Sequence, residues 1–160
     1  MDSYPKMDGG DAQAPWTPKP VTEGEWAGWA CYDSDPFEVL AGPFYARTDE
    51  NGHKVCAFRA EKKHMNGGGF MHGGCMATFA DYALFMIADE ALTGVGSVTA
   101  SLNCEFVDSA SEGELIEARG EVVRAGGSMV FIRGMITTGE RPIANFSAIV
   151  KKIRRRSAAT

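Results

Sequence analysis

HMNGGGFMHGGCMATFAD, residues 64–81, passes from a glycine-rich loop into an apolar run that holds a single carboxylate. Over residues 73–88, GGCMATFADYALFMIA, Asp81 is the only formally charged side chain. Met76, Phe79, Ala80, Ala83, Ile87 and Ala91 recur at helical spacing, which predicts a helix of about eighteen residues from Gly73. Its remaining positions are also mostly apolar, so the helix has to be surrounded rather than laid on a surface. A carboxylate there is costly without partners, and desolvation raises its pKa unless donors compensate. Such a group either pairs within the core, with Arg59, Arg124 or Arg133 as candidates, or does chemistry.

Outward from this helix the period changes to two. Val98, Ala100, Leu102, Cys104 and Phe106 alternate with Thr99, Ser101, Asn103, Glu105 and Val107, the pattern of a half-buried strand. Turn-like segments at 108–113, 125–127 and 139–142 separate further runs beginning near Glu114, Ser128 and Ile143, so four long strands are expected as an antiparallel meander. Upstream, GPFYARTDENGHKVCAFRA gives two short strands about Asn51-Gly52, a hairpin signal. The predicted order is β-β-α-β-β-β-β in the α+β class, with a long sheet wrapped around one helix. No internal repeat is visible.

Residues 1–25, rich in Pro, Gly, Asp and Lys, read as a loosely held arm. Trp16, Trp26 and Trp29 are too many indoles for water, so part of this region, with a short helix near 35–40, is expected to pack on the domain. The domain proper spans 26–150, and 151–160 form a basic tail, KKIRRRSAAT, read as solvated, with a phosphate-bearing ligand as the alternative.

Composition narrows the function. A chain of 160 residues, 44% hydrophobic and 23% charged, suits one globular domain, and a net charge of −5 argues against nucleic-acid binding. No apolar run is long enough for a membrane span, and the first thirty residues lack a signal peptide's basic start and apolar centre, so a cytoplasmic location is expected. Cys31, Cys56, Cys75 and Cys104 show no C-x-x-C spacing and read as reduced thiols.

Asn66, His72, Gly73, Gly74 and Asp81 meet the pattern N-x-x-x-x-x-H-G-G with an aspartate seven residues after the last glycine. With the GPFYAR strand before it and SLNCEF after it, this resembles the hotdog-fold thioesterases, within them the phenylacetate-pathway (PaaI-like) acyl-CoA thioesterases. The resemblance covers about two thirds of the chain. It implies a hotdog fold and hydrolysis of an acyl-CoA or aryl-acyl-CoA thioester, CoA being part of the substrate and no cofactor or metal being needed. It also implies a homodimer or a dimer of dimers. The other functions considered on this fold are a non-catalytic acyl-thioester binder and a thioester hydratase or dehydratase; the fold alone decides none of them.

The chemistry fits the residue types. A helix N-terminus offers unpartnered N–H groups and a positive dipole end, and Gly73 lets a carbonyl approach its N–H closely. The resemblance gives that position the oxyanion-binding role. Asp81 can act as general base toward water or attack directly to form a mixed anhydride. By resemblance Asn66 holds the water or carbonyl and Thr99 supplies an assisting hydroxyl, with His72 also assigned to the catalytic set. Phe70, Gly74, Phe79 and Tyr82 are expected to line the substrate.

His72 can fix the loop by hydrogen bonds, act as base for a Cys75 thiolate, or bind metal. The spacing of His53, His64 and His72 matches no ligand motif, and Cys75 reads as a small hydrophobe. The glycines at 67–69 complete no phosphate-binding motif and read as turn formers. Gly73 and Asp81 are eight residues apart, about 12 Å along a helix, whereas a reacting carbonyl has to lie about 3 Å from both. A site shared between two antiparallel helices of a dimer is therefore expected.

Overall fold

The structure, a computed structural model, describes residues 18–153. Residues 1–17, with Trp16, and 154–160 lie outside the described residues. Eight strands form a single antiparallel sheet: β1 (Lys19–Pro20), β2 (Ala30–Cys31), β3 (Tyr45–Thr48), β4 (Lys54–Arg59), β5 (Gly96–Phe106), β6 (Leu115–Ala125), β7 (Met129–Thr138) and β8 (Arg141–Ile153). Among the described residues three α-helices accompany it, α1 (Pro36–Ala41), α2 (Gly73–Ile87) and α3 (Asp89–Leu92), with a 3-10 turn at Lys62–His64. The sheet order is β1-β2-β3-β4-β6-β7-β8-β5.

That order corrects the expected meander. β6, β7 and β8 follow one another in space, but β5 pairs with β8 and β6 pairs with β4. After the helix the chain crosses to the far side of the sheet and only then returns, so β5 is an edge strand of eleven residues, paired on one side only. β8 also continues to Ile153, past the expected domain end at 150.

The hairpin at Asn51-Gly52 joins β3 to β4 through a loop closed by Asp49, whose carboxylate accepts from the N–H groups of Asn51 and His53 at 3.0 and 2.9 Å. Helix α1 begins after Asp35, which caps it by accepting from Phe37 and Glu38 at 2.9 and 3.1 Å, with Pro36 in the first turn. Trp26 stacks on Tyr45 with centroids 4.1 Å apart, and Arg47 lies over Trp29 at 4.6 Å, so two of the three tryptophans do pack on the domain.

Helix α2 lies against the sheet and buries Met76, Phe79, Ala80, Tyr82, Ala83 and Leu84. It is fifteen residues long and gives way at Ala88 to the four-residue α3, where a single longer helix was expected. Inward residues of the sheet, including Ile116, Ile132, Ile136, Phe146 and Val150, complete the core. Among the described residues no helix is long and apolar enough to cross a membrane.

Gly134 sits opposite Gly120 on adjacent strands at the point where the sheet closes over Phe146. A Cβ at Gly134 would lie 2.3 Å from the Phe146 ring and 2.7 Å from the Arg119 carbonyl oxygen. Overpacking of this kind costs about 1–3 kcal/mol, so Gly134→Ala should lower the unfolding free energy by that much, seen as a lower urea midpoint with the slope unchanged. An unchanged midpoint would mean that the Phe146 ring is free to move aside.

Candidate active site

The glycine-rich segment is a small antiparallel hairpin. Asn66 N–H donates to the Phe70 carbonyl at 2.7 Å and His72 N–H to the His64 carbonyl at 2.8 Å, with Met65 bridged to Met71 between them. Its tip is a turn closed by Gly69 N–H on the Asn66 carbonyl at 3.0 Å, and Gly69 has a φ of +83°, where glycine is favoured. The Asn66 side-chain oxygen accepts from the N–H groups of Gly68 and Phe70 at 2.8 and 3.2 Å. Both bonds occupy the oxygen, which leaves the amide NH₂ of this exposed residue for a ligand.

The hairpin ends at His72, the N-cap of α2. Its Nδ1 accepts from Gly74 N–H at 2.8 Å, so the proton of the neutral ring is on Nε2. A Cβ at Gly74 would lie 2.9 Å from that Nδ1, which explains the second glycine of the pair. Gly73 N–H has no hydrogen-bond partner among the described residues, and it is one of the free donors of the first helical turn. A Cβ at Gly73 would lie 3.5 Å from the ring of Phe106, at the end of β5.

Two turns along α2, half-buried Asp81 accepts a hydrogen bond from the Thr99 hydroxyl at 2.7 Å. Strict alternation would put Thr99 on the face opposite Leu102 and Cys104. The strand has a bulge between Thr99 and Ser101, which takes Ala100 out of register and sets Thr99 opposite buried Val150. Thr99, Leu102 and Cys104 therefore face the helix together.

None of the arginines considered as partners reaches Asp81 among the described residues: Arg59 binds Glu25 and Arg133 binds Glu121. Burial raises the Asp81 pKa above the usual carboxylate value, the Thr99 hydroxyl opposes this, and the charge of Asp35 adds to it. On α1, burial together with the charges of Asp35 and Asp81 pushes the Glu38 carboxyl up to about 7. Asp81 thus sits in acidic surroundings that the sequence did not signal, because Asp35 and Glu38 are some forty residues away in the chain.

Other expected residues fall elsewhere. Phe79 and Tyr82, expected beside the substrate, are core: Phe79 is fully enclosed and its ring lies 4.7 Å from Phe58, while Tyr82 is 2% exposed. Their positions on α2 point them toward the sheet. Phe70, 52% exposed beside the hairpin, remains open to a ligand. Burial pushes the Cys75 thiol up to about 11, which disfavours a thiolate despite its place in the first turn. Among the described residues no group of three His, Cys, Asp or Glu is placed to hold a metal ion.

Residues 68–144, which include α2 and Asp81, match the family model described as the Thioesterase superfamily. A Pseudomonas aeruginosa protein named as an esterase is 34% identical over 119 residues, covering 74% of this chain and 89% of its own length. The chain belongs to the thioesterase superfamily. Human acyl-coenzyme A thioesterase 13 is 27% identical over 95 residues, which are 59% of this chain and 68% of that protein. Among solved structures, the Escherichia coli PaaI protein from the phenylacetic acid degradation operon superposes with a TM-score of 0.67 at 18% identity, covering 77% of this chain and 88% of that one. A thioesterase from Streptococcus pneumoniae solved with coenzyme A gives 0.65 at 20% identity, covering 74% and 93%. These structural likenesses establish the hotdog thioesterase fold for this superfamily member.

The raised Asp81 pKa makes a prediction about stability. A carboxyl whose folded pKa lies above its unfolded value adds stability below the unfolded value, and that contribution is lost as pH rises through the folded one. Asp81→Asn should therefore melt at a higher temperature than the wild type at pH 7, with the gain shrinking as pH falls toward about 4. An unchanged or lower melting temperature at pH 7 would show that Thr99 fully compensates the buried charge.

Proposed function

We propose that this thioesterase-superfamily protein hydrolyses acyl-CoA or aryl-acyl-CoA thioesters to the free acid and CoA. The observation that carries the proposal is one half-buried carboxylate, held by Thr99 at 2.7 Å, on a helix whose first N–H at Gly73 is free. The carbonyl oxygen accepts from Gly73 N–H, and Asn66 orients the water or the carbonyl. Asp81 takes a proton from water as its oxygen attacks the carbonyl carbon; the C–S bond then breaks and the CoA sulfur leaves with a proton. In the alternative course the Asp81 oxygen attacks, CoA leaves, and water hydrolyses the resulting anhydride. Both courses use the chain's own groups and no cofactor.

The site is read as one shared between two copies of the chain. Gly73 and Asp81 lie on the same unbroken helix, eight residues apart, which separates them by about 12 Å. Gly74, Ala77, Thr78, Asp81 and Phe85 form a strip along α2 that the chain's own core does not fully cover. The Asp81–Thr99 bond places that strip beside β5, the edge strand, whose outer hydrogen-bonding groups are open to a second strand. Two copies joined across this edge would set Asp81 of each opposite Gly73 and Asn66 of the other. The relatives named for CoA support the substrate class.

Thiol release followed across short, medium, long and aromatic acyl-CoA substrates tests the reading. Turnover is expected on at least one class, and Asp81→Asn should lower kcat by about 10²-fold or more in a folded protein. Acyl-CoA binding without thiol release would identify a binder instead, and full activity in Asp81→Asn would remove the mechanism.

A further inference from the structure

Among the described residues, His64 is the one buried histidine, 4% exposed, and the hydrolysis described above does not use it. Its imidazole is fully engaged. Nδ1 accepts from the backbone N–H of Glu61 at 2.9 Å, and Nε2 lies 2.8 Å from the Ala41 carbonyl at the end of α1. An Nδ1 that accepts leaves the proton on Nε2, so the neutral ring donates to Ala41. The edge of the Phe58 aromatic pair closes over it at 5.1 Å and 88°. Lys63 adds a second tie to the same place by donating from Nζ to the Gly42 carbonyl.

The backbone of His64 is the foot of the hairpin that carries Asn66 on one leg and His72-Gly73 on the other. Its carbonyl receives His72 N–H at 2.8 Å, and the second leg is held separately by Met71 N–H on the Ala110 carbonyl at 2.7 Å. One leg is therefore anchored through a side chain and the other through backbone. We propose that His64 is a positioning residue for the oxyanion hairpin, its imidazole fastening the Asn66 leg to the end of α1 and so holding the Asn66 amide in register with Gly73 N–H. The inference rests on the role given to Asn66 and Gly73 above, because register matters only if both groups meet one substrate carbonyl.

The tie requires a neutral ring. Protonation would put a hydrogen on Nδ1 facing Glu61 N–H, and the acceptor would be lost. Burial lowers the His64 pKa below the usual imidazole value, the Ala41 carbonyl opposes that, the Lys63 charge lowers it further and the Glu61 carboxylate raises it. With the folded pKa depressed, the contribution of the tie is present above the unfolded imidazole value, about 6.5, and is lost as pH falls through the lower folded value.

The test compares wild type with His64→Gln and His64→Ala, reading amide exchange by NMR alongside kcat and KM for thiol release. In His64→Ala, exchange at the Asn66 and His72 amides should speed up by about tenfold or more while Ile132 in β7 stays protected. In the same variant kcat should fall about tenfold with KM changed much less, the mark of misplacement rather than lost affinity. The Gln amide keeps a donor for Ala41 and does not titrate in this range, so it should recover most of both readouts. Its kcat relative to wild type should rise as pH falls below the unfolded imidazole value of about 6.5 and through the lower folded one, because only the wild-type tie titrates. Unchanged exchange and kcat in His64→Ala, or a loss of protection spread equally to Ile132, overturns the proposal. If the Ala variant does not fold, a Gln-to-wild-type ratio that is flat with pH overturns it. A wild type that releases no thiol contradicts the hydrolase reading, and the exchange measurements then decide the role of His64 without it.

Discussion

The Thr99 hydroxyl donating to Asp81 at 2.7 Å is the contact on which the site depends. A helix as apolar as α2 is stable because the sheet and α1 take it out of water, and the same enclosure penalises an ionised carboxylate. One neutral donor on the neighbouring strand lowers that penalty without neutralising the charge, as an arginine would. Asp81 therefore keeps a raised pKa and an accessible oxygen, both suited to a base or nucleophile. The charge of Asp35 acts in the same direction on Asp81, and the charge of Asp81 in turn helps to raise Glu38.

Much of this was legible in the chain. The apolar run with one aspartate, the N-terminal start at Gly73 and the Asn51-Gly52 hairpin follow from local pattern, and the structure has each of them. What was not legible came from pairing between distant segments. Crossing of β5 to the far edge is a choice of neighbour that alternation cannot express, since the strand reads the same beside β6 or β8. The bulge at Ala100 changed which face Thr99 occupies; alternation alone put it away from the helix, and only the family resemblance selected it. Phe79 and Tyr82 flank Asp81 in sequence, but an angle of about 100° per residue turns them toward the sheet. His64 looked like one of three scattered histidines until the end of α1, more than twenty residues upstream, was found bonded to it.

Under the proposed mechanism, the fold also divides the functional groups. Hairpin, His72 cap and Gly73 cluster at one end of α2, and Asp81 with Thr99 lies two turns away, where β5 runs back along the helix toward Phe106 and Gly73. A straight helix holds these two sets apart rigidly, so neither loop movement nor side-chain rotation can bring them onto one carbonyl. A second chain placed antiparallel across the β5 edge would bring complementary halves together twice.

Complementation between damaged chains tests this division most directly. Asn66→Ala and Asp81→Asn chains, each inactive alone, are unfolded together and refolded as a mixture, and heterodimers are counted by mass spectrometry. With random pairing about half the dimers are mixed, each with one doubly damaged and one intact site, so thiol release should recover to about a quarter of wild type. Heterodimers that form and remain inactive would contradict the shared site and require Asp81 to act on a carbonyl held by its own chain.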